Sequence, residues 1–188
     1  MKKILAASIL ATSLALGLSG CVINIGDTTS DHGMMGNSSS EFGTKDIMFA
    51  QMMIPHHEQA VELAGIAETN TTNPAIRDLA SRIKNAQQPE IDQMKKWIAD
   101  ANAGMDMSHD MAMPGIVADE DMAAIRSAHD ADFDTLFLTH MIAHHEGAID
   151  MVNNMIANSQ NAGVKALGQS IIKAQTAEIE EMKSLLGR

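Results

Sequence analysis

The sequence contains the same unit twice. Residues 46–98 align with 134–186 at an offset of 88, without a gap. Phe49 matches Phe137, Met53 matches Met141, and His56-His57-Glu58 matches His144-His145-Glu146. Further along, Asn73 matches Asn161, Ile83 matches Ile171, Gln87 matches Gln175, and Glu90-Ile91 matches Glu178-Ile179. Two copies of one supersecondary unit predict two similar hairpins that bury their apolar faces against each other about an approximate two-fold axis.

Each copy reads as two helices. Phe49, Met53, His56, Ala60, Leu63 and Ala67 recur at steps of three and four, which makes an apolar helical stripe. The polar run 69–73 ends it, and Asn73 followed by Pro74 is a cap and first turn for the next helix. Ile76, Leu79, Ala80, Ile83, Ile91, Met94 and Ile98 form the second stripe, with Pro89 expected to bend it. The second copy repeats this scheme, with Ala177 in place of the proline. Residues 99–130 join the hairpins as a methionine-rich crossover, with a short helix predicted near 118–125 whose first turn is acidic. The expected fold is all-α: a four-helix bundle built from two duplicated hairpins. A crossover this long permits a ferritin-like path, and an up-down-up-down path stays open.

Composition removes competing classes. Aromatic residues are 3% of the chain, too few for the usual β-sandwich or barrel. The formal charge of -11 argues against nucleic acid as a partner. A single cysteine excludes an intrachain disulfide and a thiolate-cluster metal site. That cysteine, Cys21, follows Lys2-Lys3, the apolar run Ile4 to Leu18, and Ser19-Gly20. Residues 1–20 therefore read as a signal peptide similar to those of bacterial lipoproteins, with Cys21 as the lipidated residue. The expected location is the bacterial cell envelope, and the outer membrane if the source has two membranes. Residues 21–44, rich in small polar side chains, read as a flexible tether to the domain at 45–187.

The chemistry-bearing residues are His and Met, of which the chain has 8 and 16. At 100° per residue with Phe49 as zero, His56 falls near about -20°, inside the apolar arc, and His57 near about 80°, on its edge. His144 and His145 repeat this placement. A buried imidazole must find hydrogen-bond partners or bind a metal. Met52 precedes His56 by four residues, Met53 precedes His57, His140 precedes His144 and Met141 precedes His145. Residues four apart stand on one helix face, so each pair is a candidate ligand pair. Thioether with imidazole favours copper, Cu(I) above all, and imidazole alone also suits zinc. Met105, Met107, His109, Met111 and Met113 of the crossover form a secondary soft-metal candidate. The competing reading makes the methionines packing, and the histidines an interior polar network. Neither Glu-x-x-His nor His-Glu-x-x-His occurs, so di-iron and zinc-protease helices are not expected.

These motifs resemble the bacterial family known as domain of unknown function 305. The resemblance rests on Phe49 to Val61, on Met113-Pro114-Gly115 and on Phe137 to Ala148. It implies a ferritin-like helical bundle in an exported protein, with copper binding or tolerance associated with some relatives. Met52 and His140 occupy equivalent positions with different ligand atoms, so a strictly symmetric site is not expected. The resulting expectation is an exported, lipid-anchored protein that sequesters or transfers a soft metal ion, copper first, without turning over a substrate. The alternatives are a surface protein that binds a partner protein or a second copy of itself, and a metal-dependent oxidoreductase.

Overall fold

The computed structural model describes residues 41–105 and 113–187. The signal segment, Cys21, the tether up to residue 40, Met107, His109 and Met111 lie outside the described residues. Five helices form in the order α1 (Thr44–Asn70), α2 (Pro74–Asp100), α3 (Asp119–Ser127), α4 (Asp130–Met155) and α5 (Ala162–Leu185). The four long ones are the four stripes of the repeat, and α3 is the short acidic helix of the crossover. No helix among the described residues is long and apolar enough to cross a membrane. Pro89 lies inside α2, which continues through it to Asp100.

The contacts at the helix ends fix the path of the chain. At the end of α1, the Asn70 side chain donates to the Ala128 carbonyl at 2.8 Å, and just beyond it the Thr72 hydroxyl donates to Asp130 at 3.0 Å. Halfway along, the rings of His56 and His144 meet at 3.8 Å between centroids. α4 therefore runs antiparallel to α1. Each hairpin is antiparallel through its short loop, so α2 and α4 run the same way and the crossover travels the length of the bundle. The path is up-down-down-up, the ferritin-like alternative. Arg82 of α2 closes the ring of helices on Glu181 of α5 at 2.5 Å.

The same asparagine caps both second helices and stitches the hairpins together. Asn73 accepts from Ala75 N at 3.1 Å and donates to Asp134 at 3.0 Å. Asn161 accepts from Val164 N at 3.0 Å and donates to the Glu41 carbonyl at 3.2 Å. Asn73→Ala removes a cap and a cross-hairpin bond together, and is expected to cost about 1–2 kcal/mol in urea unfolding. An unchanged midpoint would show that Asn73 does neither.

The domain begins slightly before the boundary set by composition. α1 starts at Thr44, and Phe42 is buried against Trp97 with ring centroids 5.8 Å apart. One aromatic side chain with an apolar partner anchors the end of a segment whose small polar residues otherwise signal a tether.

The core is divided. One apolar cluster takes Ala60–Ala67 of α1, Ile76–Ile83 of α2, Phe133–Ile142 of α4 and Ile179–Met182 of α5. The other takes Phe49–Ile54 of α1, Ile91–Ile98 of α2, Ala148–Val152 of α4 and Val164–Ile171 of α5. All four long helices change cluster at the same level. The buried polar residues at that level are His56, His57, Gln87, His144, His145 and Gln175.

Candidate functional site

Polar residues on the apolar stripes create this layer. Gln87 stands between Ile83 and Ile91, one helical turn from each, and Gln175 stands likewise between Ile171 and Ile179. The four motif histidines enter from α1 and α4, and all four are 0% exposed. The rings of His56 and His144 lie against each other at the α1–α4 crossing, tilted by 39°. His57 and His145 are buried as fully, although the helix angle puts them at the edge of the stripe. The arc buried in a bundle is wider than one stripe, because each helix has two neighbours. His57 turns toward α2, where its Nε2 lies 2.8 Å from Glu90 Oε2. His145 turns toward α5, where its Nε2 lies 2.7 Å from Glu178 Oε2.

The crossover covers the layer. Met113–Val117 forms a strap in the groove between α1 and α4, and His56 Nε2 is 3.0 Å from the Pro114 carbonyl oxygen. Gln59 clamps the strap from α1: its amide donates to the Val117 carbonyl at 2.9 Å and accepts from Val117 N at 2.8 Å. The equivalent residue on α4 is Gly147, where a Cβ would lie 2.0 Å from the Pro114 carbonyl oxygen. Gly115 has φ +76, and a Cβ there would lie 2.3 Å from the Ala143 carbonyl oxygen. The duplication supplies two equivalent positions and the chain supplies one strap. One position holds it with a side chain and the other makes room by having none.

This asymmetry distinguishes the central pair. His56 has the strap carbonyl, whereas His144 hydrogen-bonds neither the strap nor a side chain and lies against the His56 backbone. Nδ1 of His56, His57 and His145 and the whole carboxamides of Gln87 and Gln175 are also buried without partners. Burial lowers the His56 pKa to about 4, opposed by the strap carbonyl and assisted by the charges of His57 and His145. Burial, then the neighbouring histidines, holds His144 well below the usual imidazole range. Both rings are thus neutral at pH 7 and carry the lone pairs a metal ion needs.

The remaining predicted ligands are distributed around the layer. Met52 and Met53 pack in one apolar cluster and Met141 in the other, all buried. His140 is only partly buried, one turn from His144 on α4. Among the crossover candidates, Met105 is 50% exposed and Met113 packs against the cluster that holds Met52. Gln51 of α1 donates to the Gly104 carbonyl at 2.6 Å, which fixes the approach to this segment. Glu58, Glu62, Glu146 and Asp150 point to solvent, as their helix angles require. Among the described residues, no three His, Cys, Asp or Glu side chains converge on one metal-holding geometry.

Sequence reasoning missed Glu90, Glu178, Gln87 and Gln175 as site residues. The signal was present: a carboxamide interrupts an apolar stripe at the same place in both copies.

Comparison with known proteins gives a consistent picture. The family described as a domain of unknown function, DUF305, matches residues 46–186. A candidate secreted DUF305 protein from Streptomyces coelicolor has a similar structure, with a TM-score of 0.72 and 27% identity over 76% of this chain and 92% of that one. A DUF305 fragment from Deinococcus radiodurans gives 0.71 and 25%, covering 78% of this chain and 98% of that one. CopM in its Cu(I)-bound form gives 0.64 and 32%, covering 74% and 94%. CopM structures with Cu(II), with silver and in the apo form also match. No curated protein matches the chain.

Proposed function

The chain belongs to the DUF305 family, and from that premise we propose that it binds a soft metal ion, copper first, for sequestration or transfer. The observation that carries this reading is the His56–His144 pair. It consists of two buried neutral imidazoles in ring contact, one bonded to the strap carbonyl and the other with no side-chain hydrogen bond. Three further buried donors, Nδ1 of His56, His57 and His145, lie in the same layer. Neutral imidazole and the thioethers of Met52, Met53 and Met141 suit Cu(I), and imidazole alone accepts Cu(II) or zinc. The similarity to CopM, solved with Cu(I), Cu(II) and silver, supports the same choice. In this reading the ion is cargo.

The test is titration of the metal-free protein with Cu(I) and Cu(II). Saturable binding is expected, tighter than about 10 µM. His56→Ala and His144→Ala are each expected to weaken it at least about tenfold. Weaker binding than that limit in the wild type, or unchanged uptake in both variants, would sink the reading.

One observation favours a second reading. The His57–Glu90 and His145–Glu178 bonds are those of an interior polar network, and among the described residues no three His, Cys, Asp or Glu side chains close around an ion. In that case the layer fixes the register of the two hairpins, and the strap or the acidic surface meets a partner protein or a second copy. The same histidine variants would then lose stability without any change in metal uptake.

We also read the protein as exported and anchored in the cell envelope through an acylated Cys21. The sequence of residues 1–21 and the candidate secreted relative support this. Mass spectrometry of the amino-terminal peptide would detect acylation at Cys21, and an unmodified or uncleaved terminus would refute it.

A further inference from the structure

Three of the four buried imidazoles are tied through the same ring atom. Nε2 of His57 meets Glu90, Nε2 of His145 meets Glu178, and Nε2 of His56 meets the Pro114 carbonyl. A carbonyl oxygen and an ionised carboxylate can only accept. Each Nε2 therefore carries the hydrogen and donates it, and in the neutral ring the lone pair is left on Nδ1. All three of these Nδ1 atoms are buried and have no partner. Had the carboxylates bonded Nδ1 instead, the same rings would present Nε2, further from the backbone and with a different reach. The two carboxylates are also the right kind of partner for a loaded site. Their side chains are 15% and 12% exposed, so their charge is poorly screened and bears on any cation at the layer. The arrangement occurs twice, at equivalent positions of the two hairpins, and each carboxylate arrives from the second helix of its own hairpin.

We propose that Glu90 and Glu178 are positioning residues of the soft-cation centre, locking His57 and His145 as Nε2–H tautomers so that a bound ion meets the Nδ1 atoms. This rests on the soft-metal reading of the layer and deepens it. The carboxylates hold the rings through hydrogen bonds and do not themselves coordinate. Their negative charge offsets that of the ion, as in the carboxylate–histidine pairs found behind metal ligands generally. His56 is held in the same tautomer by the strap carbonyl.

The experiment uses silver(I) as a diamagnetic probe and reads the ring nitrogens of the full domain by long-range proton–nitrogen NMR correlation. In the metal-free protein His57 and His145 are expected as Nε2–H tautomers. On silver addition the Nδ1 resonances, not the Nε2 ones, are expected to move. Glu90→Ala and Glu178→Ala are expected to release the tautomer of the adjacent ring and to weaken silver binding about 10–100-fold. Glu90→Gln and Glu178→Gln keep an acceptor oxygen, so the tautomer is expected to survive and the loss to stay within about tenfold. These glutamine variants also serve if the alanine variants fold poorly. Nδ1–H rings in the metal-free protein, coordination through Nε2, or unchanged affinity in the alanine variants would overturn the proposal while leaving the soft-metal reading in place. Absence of saturable silver uptake by the wild type would instead remove the reading on which the proposal rests.

Discussion

Gly147→Ala is expected to destabilise the domain by at least about 3 kcal/mol, a cost beyond that of an ordinary overpacked methyl group. The added Cβ would lie 2.0 Å from the Pro114 carbonyl oxygen and 2.4 Å from its carbon. Both are backbone atoms of the strap, so no side-chain rotation can relieve the clash. Either α4 shifts, which opens the His56–His144 contact, or the strap lifts and breaks the Pro114 bond to His56. Lifting would also pull on the two bonds from Gln59 to Val117. Urea unfolding measures the loss. Amide exchange at Val117, whose N–H is held by Gln59, reports whether the strap has moved. Wild-type stability with unchanged Val117 protection would mean that the strap does not approach α4 this closely. The comparison with Gln59 makes the result specific: the same position of the repeat tolerates a long side chain on α1 and only a hydrogen on α4.

Acidification is expected to weaken the metal-free protein strongly, because the layer keeps His56 and His144 neutral. His56 has an ordinary value of 6.5 and a folded value of about 4. As pH falls through 6.5 the unfolded chain takes up this proton, while the folded protein refuses it until about pH 4. The unfolded state binds more protons throughout that window, so stability rises with pH there. The contribution is complete above pH 6.5 and is lost on the way down to about pH 4. At 1.36 kcal/mol per pH unit, His56 alone removes about 2 kcal/mol between pH 7 and 5, and about 3 kcal/mol over the full window. His144 shifts in the same direction, again by burial first and then by the neighbouring histidines, and adds to the effect. The two rings are in contact, so their protons are taken up as a coupled pair. Urea midpoints measured at pH 7 and pH 5 on metal-free protein give the difference. His56→Gln should flatten the profile. A wild-type profile that is already flat would mean that the imidazoles are not held neutral.

The sequence and the tertiary structure contributed different parts of this description. The 88-residue offset and the three-and-four periodicity specify helices, two hairpins and a pseudo-two-fold, because each follows from repetition along one chain. The angles about α1 and α4 place His56 and His144 inside, because those two residues lie at the centre of their own stripes. The same angles place His57 and His145 at the rim, which is correct for a single helix and incomplete for a bundle. Their burial depends on α2 and α5, which bring Glu90 and Glu178 to them from 33 residues away. Helix periodicity says which side of a helix is apolar; it does not say which neighbour arrives at the edge of that side.

The polar layer is a similar case. Each interrupted stripe can be read from the sequence. That the four interruptions fall at one level depends on how far each helix slides along the next, and packing fixes that distance. The strap is wholly tertiary. Gln59 and Gly147 look like an unremarkable mismatch between the copies until one crossover is laid between them. Repetition determined the symmetric parts of this protein. The single crossover, which no symmetry can duplicate, decided where the symmetry breaks and which of the two central imidazoles meets the strap carbonyl.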